Sequence, residues 1–449
     1  MNFKRFQKHK VETIGEKIKI TFLTEIKLEE LAEKLDEFSF FPDFAHRLED
    51  DGIILNQEAA RRMANLYEAI EHKDYNRNDI SVLLARILFC LFAEDTGIFD
   101  KKVFEDYITE NTDGSNLGEH LMSIFKTLDT PPAKRATLNK KLSKFHYVNG
   151  GLFDEKLTKV PPTNKAIRTA LLECCTYDWS DISPVIFGSL FQAVIHEEER
   201  RSLGAHYTSE KNILRVVNPL FLDKLRSNFE EIESDKELEK FRKQLSTMMF
   251  LDPACGCGNF LVVTYRELRL LDIEIIQRQF KGKYVTDVSL LSNVHLANFH
   301  GYEIDQTSAM IAEVAMWLTE HQMNMRLESE FGKTVPTIPL DEAAVIVNEN
   351  SLNLNWSTKK KDVAFDYILG NPPFIGKQYQ TTEQKSDIGK ILHGIKGAGV
   401  LDYVTCWYIK SAEYMKKNPD TRTALVSTNS IAQGEQTGIL WNELLLNMI

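Results

Sequence analysis

The sequence has 449 residues and a formal net charge of −11, with 43% hydrophobic and 27% charged residues. This length predicts two or three domains, and no apolar run reaches the roughly 20 residues that a membrane-spanning helix needs. Six cysteines in so long a chain argue against a disulfide scaffold, none has zinc-finger spacing, and the charged amino terminus is not typical of a signal segment, so we expect a reduced, metal-free, cytoplasmic protein.

Residues 1–190 predict an all-helical domain. Apolar residues recur at helical spacing over residues 28–38 and more densely over residues 82–91, and strand signals are few. The acidic–basic triplet Glu25-Ile26-Lys27 has too little chain before it to build a nuclease core. We therefore interpret this domain as a spacer or docking region and predict no nuclease.

A strand, a glycine-rich turn and a helix are predicted next. Residues 247–251 are typical of a short buried strand, residues 252–260 read DPACGCGNF, and residues 260–272 carry apolar residues at helical spacing. Such a unit brings backbone N–H groups and a helix N-terminus close to a phosphate or a nucleoside.

The turn departs from the dinucleotide-binding fingerprint in two ways. Leu261 stands where a third glycine is needed, and Glu303 lies 45 positions after Gly258, whereas the fingerprint has an acidic residue about 20 positions on. Asp252, at the tip of the predicted strand, could meet a cationic amino group, which S-adenosyl-L-methionine (SAM) carries and NAD lacks. The turn therefore favours a SAM pocket, with an ordinary strand–turn–helix as the alternative.

A second loop supplies the chemistry. Residues 365–370 form an apolar run that is followed by Asn371-Pro372-Pro373-Phe374. The prolines fix the backbone and remove two N–H donors, so the Asn371 side-chain oxygen and the Pro372 carbonyl can both accept from one NH₂ group. Two acceptors would stabilise the amine as it attacks a methyl group, and Phe374 offers a stacking face worth about 1–3 kcal/mol per base. Together the loops predict methyl transfer to an exocyclic amine of a base, and a rigid turn is the alternative.

In this order the two loops resemble the gamma class of N6-adenine DNA methyltransferases. The resemblance is strongest to the methyltransferase module of type IIL restriction–modification enzymes and related phage-defence methyltransferases, and it covers most of residues 80–449. The segments that carry it are Gly204–Ser209, Asp252–Phe260, Gly301–Asp305, Asn371–Phe374 and Ser427–Gln436, with a weaker match over Ile87–Phe99.

The resemblance implies an α/β fold in which a Rossmann-like SAM-dependent methyltransferase domain at residues 191–449 follows the all-helical domain. Asp252 would hold the SAM amino group, and Glu303 would accept from the ribose hydroxyls. Asn350 stands where the family often has aspartate, and Cys257, where serine is usual, would place a thiol beside the cofactor. The implied cofactor residues are Tyr207, Thr208, Asp252, Ala254, Cys255, Gly256, Gly258, Asn259, Phe260, Glu303, Ile304, Asn350 and Ser351, and the implied catalytic residues are Asn371, Pro372, Pro373 and Phe374.

The resemblance also implies double-stranded DNA as a partner. Because the net charge is −11, a chain that binds DNA must concentrate its basic residues at the DNA-binding surface. One candidate basic patch brackets the catalytic loop, although a solvated lysine-rich surface is the alternative. Residues 438–449 form an apolar helix without a cap, so we expect the last strands and a target-recognition domain, which would make most DNA contacts, to be missing. The lysines of the patch are Lys359, Lys360, Lys361, Lys377, Lys385, Lys390 and Lys396.

The predicted function is site-specific adenine-N6 methylation of DNA in a restriction–modification or phage-defence system, where restriction or defence subunits are possible partners. A methylated amine loses its proton readily, so no histidine is assigned as a base. Other planar amines remain as substrates, namely cytosine N4, RNA guanine N2 and protein glutamine, although asparagine at position 371 argues against cytosine. A non-catalytic SAM-binding assembly subunit is the remaining alternative.

Overall fold

The protein divides into two compact units, Met1–Glu58 and Ala59–Ile449. The computed structural model describes residues 5–14, 17–27, 58–70, 77–135, 140–148, 151–154, 163–180, 182–185, 208–280, 292–331, 343–356 and 363–448.

The first unit contains an antiparallel hairpin of β1 (Arg5–Ile14) and β2 (Lys17–Lys27). The prediction of an all-helical domain is therefore wrong at these residues. Residues 17–22 read KIKITF, and this alternation of apolar and polar residues is the period-two signal of a strand. The apolar stripe at residues 28–38 lies outside the described residues.

The second unit begins with a helical region, as predicted. Its second helix is almost entirely buried, since every residue from Val82 to Glu94 is inaccessible. Arg86 is accommodated there because its Nε donates to the Leu152 carbonyl at 2.8 Å and its guanidinium lies over two phenylalanine rings. The helices are α1 (58–70), α2 (Arg77–Asp95), α3 (Val103–Asn111), α4 (Leu117–Asp129), α5 (Gly151–Asp154) and α6 (Lys165–Cys175).

The rest of the second unit alternates helices with short strands, which is the pattern of a Rossmann-like α/β domain. The domain boundary predicted at residue 190 lies outside the described residues. The elements are α7 (Glu210–Val217), α8 (Asp223–Glu231), α9 (Asp235–Thr247), β3 (Phe250–Asp252), α10 (Asn259–Gln279), β4 (Phe299–Glu303), α11 (Gln306–Phe331), β5 (Val345–Asn348), β6 (Tyr367–Gly370), α12 (Thr382–Ile391), α13 (Thr405–Lys417), β7 (Arg422–Leu425) and α14 (Glu435–Asn442).

The five strands of this domain form one parallel sheet in the order β5-β4-β3-β6-β7. After β3 the chain adds β4 and β5 on one side of this strand, and it then adds β6 and β7 on the other side of β3. Ligands of open α/β sheets bind at such a switch point, beyond the carboxyl ends of the strands. The predicted α/β fold is confirmed, and the two predicted loops follow the two strands that flank the switch point.

Helix α11 belongs to both halves of the second unit. On one face Met310, Val314 and Trp317 join the buried cluster of the helical region, and on the other Ala312 and Met316 pack with α10 and the sheet. A helix that is apolar on two faces is buried between two layers. The helical region is therefore packed directly onto the α/β domain.

Polar contacts reinforce this packing. The Gln322 side chain donates to the Ser180 and Ile182 carbonyls, both at 2.9 Å. The His321 ring lies 3.2 Å from the Thr96 carbonyl oxygen. Among the described helices, none combines the length and apolar character needed to cross a lipid bilayer.

Trp317 joins α11 to α2 at this junction, with its ring stacked on Phe89 at a centroid distance of 5.4 Å. We expect Trp317→Ala to lower the free energy of unfolding by about 3–5 kcal/mol, because it removes a buried indole and leaves a cavity. Urea unfolding followed by circular dichroism measures this change. Arg326→Ala, at an exposed position of the same helix, is the matched control, and equal midpoints for the two variants would contradict the packing role.

Candidate active site

The two predicted loops meet because the strands before them are neighbours. Asp252 is the last residue of β3, and Gly370 is the last residue of β6. A Cβ atom on Gly370 would lie only 2.3 Å from Oδ1 of Asp252. The carboxylate therefore rests directly on the backbone of Gly370, one residue before Asn371.

Asp252 is a buried acid with an unfilled hydrogen-bonding position. Its side chain is 1% exposed, and Oδ1 accepts from the Ala254 N–H at 3.0 Å. Oδ2 is buried without a hydrogen-bond partner in the described part of the chain. Burial, with a smaller contribution from the charge of Glu303, raises the pKa of Asp252 to about 8. A nearby cationic group would stabilise the ionised form of such a carboxyl.

Glu303, at the end of β4, closes the glycine-rich turn. Its Oε2 accepts from the Gly256 N–H at 2.9 Å, and its Oε1 accepts from the Asp305 N–H at 2.8 Å. Burial raises the pKa of Glu303 to about 7, against the lowering effect of these bonds. Each carboxylate oxygen can accept more than one bond, so Glu303 can hold the turn and still accept from a ligand. Ile304 beside it is 64% exposed, which leaves an apolar surface at the rim.

The turn ends at Gly258, whose φ of +85° and close approach to α11 both require glycine. A Cβ atom here would lie 3.0 Å from the Cβ of Ala312. Helix α10 then starts at Asn259, so its N-terminal N–H groups lie next to the turn. Asn259 Oδ1 is buried and has no hydrogen-bond partner among the residues described, and Phe260 is buried.

Cys255 and Cys257 both lie within the turn and are buried. The Cys255 N–H donates to the Tyr302 carbonyl at 3.0 Å, which ties the turn to β4. Cys257 instead joins the buried cluster of the helical region, and burial raises the pKa of its thiol to about 12. Cys257 thus packs into the core from within the turn, and its expected place beside the cofactor stays a prediction.

The catalytic loop is fixed from a distant segment. Asn371 Nδ2 donates to Thr208 Oγ1 at 2.8 Å, across 163 positions of sequence. This bond fixes the orientation of the Asn371 amide group, which also carries the acceptor oxygen Oδ1. Pro372 is buried, and Phe374 packs partly buried against the core beside α13. Tyr207 lies outside the described residues, so its predicted contact stays a prediction.

Asn350 makes internal hydrogen bonds. Its Oδ1 accepts from the Leu352 N–H at 3.0 Å, and its Nδ2 donates to Asp387 Oδ2 at 2.9 Å. The Tyr403 hydroxyl donates to the same Asp387 oxygen at 2.9 Å. These bonds give Asn350 the role of holding its loop against α12, and its contact with an adenine ring stays a prediction.

Trp407 on α13 is a positioning residue that sequence reasoning missed. Its indole Nε1 donates to the Pro253 carbonyl and to Ser351 Oγ, both at 3.1 Å. It thereby joins the turn after β3 to the loop after β5. No local pattern signals this role, because Trp407 and Pro253 are 154 positions apart.

The segment Ser427–Gln436 is bound to the region behind the catalytic loop through Asp402, which sequence reasoning also missed. Asp402 Oδ2 accepts from Ser430 Oγ at 2.8 Å and from Gln436 Nε2 at 2.9 Å. The next residue, Tyr403, donates its N–H to the Ile375 carbonyl at 3.0 Å. This segment therefore supports the loop after β6.

Four lysines of the predicted basic patch are exposed, and the other three, at positions 359–361, lie outside the described residues. No group of three His, Cys, Asp or Glu residues suited to a metal ion occurs where the structure is described. The exposed lysines are Lys377, Lys385, Lys390 and Lys396.

Comparison with known proteins gives consistent matches. The family model described as "MmeI, DNA-methyltransferase domain" matches residues 229–449, and "MmeI, helicase spacer domain" matches residues 78–153. DNA methyltransferase A of Bacillus subtilis (strain 168) is 38% identical over 433 residues, which are 94% of this chain and 48% of that protein. A putative type II restriction enzyme and methyltransferase of Methanocaldococcus jannaschii is 25% identical over 56% of this chain and 26% of its own length.

A solved structure agrees with these sequence matches. The type IIL restriction–modification enzyme MmeI, in complex with DNA, has a TM-score of 0.79 and 47% identity, covering 87% of this chain and 52% of that one. The chain thus spans about half the length of that enzyme and of its B. subtilis relative. Its spacer and methyltransferase matches occur in the same order as the two halves of the second unit, and the chain therefore belongs to the MmeI family of DNA methyltransferases.

Proposed function

We propose that this chain transfers a methyl group from SAM to the exocyclic N6 of adenine in DNA. The observation that carries the proposal is the buried Asp252 carboxyl, whose Oδ2 has no hydrogen-bond partner in the described region. It rests on Gly370, immediately before Asn371. A site for an ammonium group and a loop that accepts from an amine are therefore adjacent across two strands.

The chain's own residues fit such a cofactor. Asp252 would hold the amino group, Glu303 would accept from the ribose hydroxyls, and exposed Ile304 offers an apolar surface for the adenine ring. When bound, SAM supplies an electrophilic methyl group on a sulfonium. Thr208 accepts from the Asn371 amide and would contact the cofactor as well, at the start of the segment that leads into α7.

The base side of the site follows from Asn371 and its two prolines. The Asn371 oxygen and the Pro372 carbonyl accept the two amine hydrogens, which favours electron density on nitrogen as the new bond forms. Phe374 stacks on the base after it leaves the duplex, an extrusion that costs a few kcal/mol. The proton departs to solvent after transfer, so the chain supplies no general base.

DNA as the substrate is supported by the relatives. MmeI was solved in complex with DNA, and the B. subtilis relative is named a DNA methyltransferase. The restriction–modification context is likewise that of MmeI. Incubation of the protein with labelled SAM and unmethylated phage DNA, followed by nucleoside mass spectrometry, tests the proposal. N6-methyladenine supports it, whereas N4-methylcytosine or no labelled DNA contradicts it.

We expect Asp252→Asn to weaken SAM binding by at least tenfold, because a neutral amide cannot balance the ligand's ammonium group. Isothermal titration calorimetry measures this dissociation constant. Asp235→Asn, at an exposed position in the first turn of α9, should bind as the parent does. Equal affinities for the parent and Asp252→Asn would contradict the assignment.

The affinity for SAM should rise with pH between 6 and 8. The free protein holds protons on Asp252, with a pKa of about 8, and on Glu303, with a pKa of about 7. A bound cation lowers the pKa of both groups, so binding releases protons and weakens as the pH falls through 8 and then 7, by up to about tenfold per unit for each group. The same titrations repeated across this range should show a shallower slope for Asp252→Asn.

Asn371→Ala should abolish methyl transfer while leaving SAM affinity within about twofold of the parent, since Asn371 acts on the base and not on the cofactor. Transfer of labelled methyl groups to DNA and calorimetry with SAM measure the two effects separately. Thr208→Val removes the acceptor of the Asn371 N–H and should reduce transfer less. If DNA protection in vivo survives Asn371→Ala, the chain is an assembly subunit and the proposal is wrong.

A further inference from the structure

Tyr379 is a large aromatic residue that the fold leaves in solvent. Its side chain is 71% exposed, and it lies eight positions after Asn371. Phe374, between them, is partly buried. The loop that holds the reacting base is thus followed at once by a second ring on the surface.

The backbone that carries Tyr379 is held firmly. Its N–H donates to the Gly376 carbonyl at 2.8 Å. The next residue, Gln380, is buried, and its Nε2 donates to the Ile375 carbonyl at 3.1 Å. Thr381 and Gln384 then form a capping box at the start of α12. The ring is therefore exposed on a fixed turn between two anchored residues, where its exposure serves no packing purpose.

The surroundings favour a polyanion. Between Gly376 and Lys396 the chain has four lysines and two acidic residues, in a protein whose net charge is −11. One of those acids, Asp387, is buried and accepts from Tyr403. Lys377 is exposed two positions before the ring. An aromatic ring with neighbouring cations is how proteins bind unstacked bases and their phosphates.

We propose that Tyr379 stacks on a base of the DNA substrate at the gap that the extruded adenine leaves. This inference rests on the proposed function and extends it by naming the residue that stabilises the opened duplex. Phe374 would hold the base that has left, Tyr379 the base that remains, and Lys377 an adjacent phosphate. The closeness of the three residues in one anchored segment is what allows one loop to serve both sides of the opening.

The test compares two labelled DNA pools in fluorescence anisotropy with the whole chain. One pool is a 40-base-pair duplex of randomised sequence with one central abasic site, and the other is the same pool intact. Stacking is worth roughly 5- to 150-fold in affinity per base, so the parent should bind the abasic pool at least fivefold more tightly. Tyr379→Ala should bind both pools equally, and Tyr379→Phe should keep the preference.

Lys377→Ala should weaken binding to both pools alike and reduce the salt dependence by about one phosphate contact. The inference is overturned if the parent shows no preference for the abasic pool, or if Tyr379→Ala keeps that preference. If Tyr379→Ala abolishes the preference but the parent transfers no methyl group, the proposed function is refuted and the stacking role of Tyr379 stands. Circular dichroism and SAM titration confirm that each variant is folded.

Discussion

The contact of the Asp252 carboxyl with the backbone of Gly370 is the constraint on which the site depends. Because β3 and β6 are parallel neighbours, their carboxyl ends lie at one edge of the sheet. A side chain at position 370 would clash with Oδ1 of Asp252, so the carboxyl could not keep its present position over this strand. The absence of one Cβ atom therefore allows the Asp252 carboxyl to lie beside Asn371.

Helix α11 extends this constraint to the helical region. Gly258, which ends the turn after β3, packs against Ala312 on one face of α11. The opposite face buries Trp317 among residues of α2, and Cys257 joins the same cluster from within the turn. The helical region thus helps to support the turn after β3. A helical region that acted only as a spacer would not need to bury Cys257 of this turn in its own core.

The sequence predicted the two loops and the strands before them, because these features are local. The turn at 252–260 and the loop at 371–374 each follow a strand, and their spacing, prolines and glycines are visible without a partner. Gly370, Asp387 and Trp407 were missed because their roles exist only across contacts between distant segments. The hairpin at residues 5–27 was missed for another reason, since its alternating pattern was present but was outweighed by the helical pattern that follows.

The raised pKa of Asp252 shows how the site tolerates a buried acid in the free protein. An ionised carboxylate at 1% exposure with one unfilled oxygen would be costly. Its raised pKa of about 8 favours the neutral form of the carboxyl, which lowers this cost. Glu303, with a pKa of about 7, adds to the repulsion that keeps Asp252 protonated. The two raised pKa values thus spare the site the cost of holding two fully ionised buried carboxylates side by side.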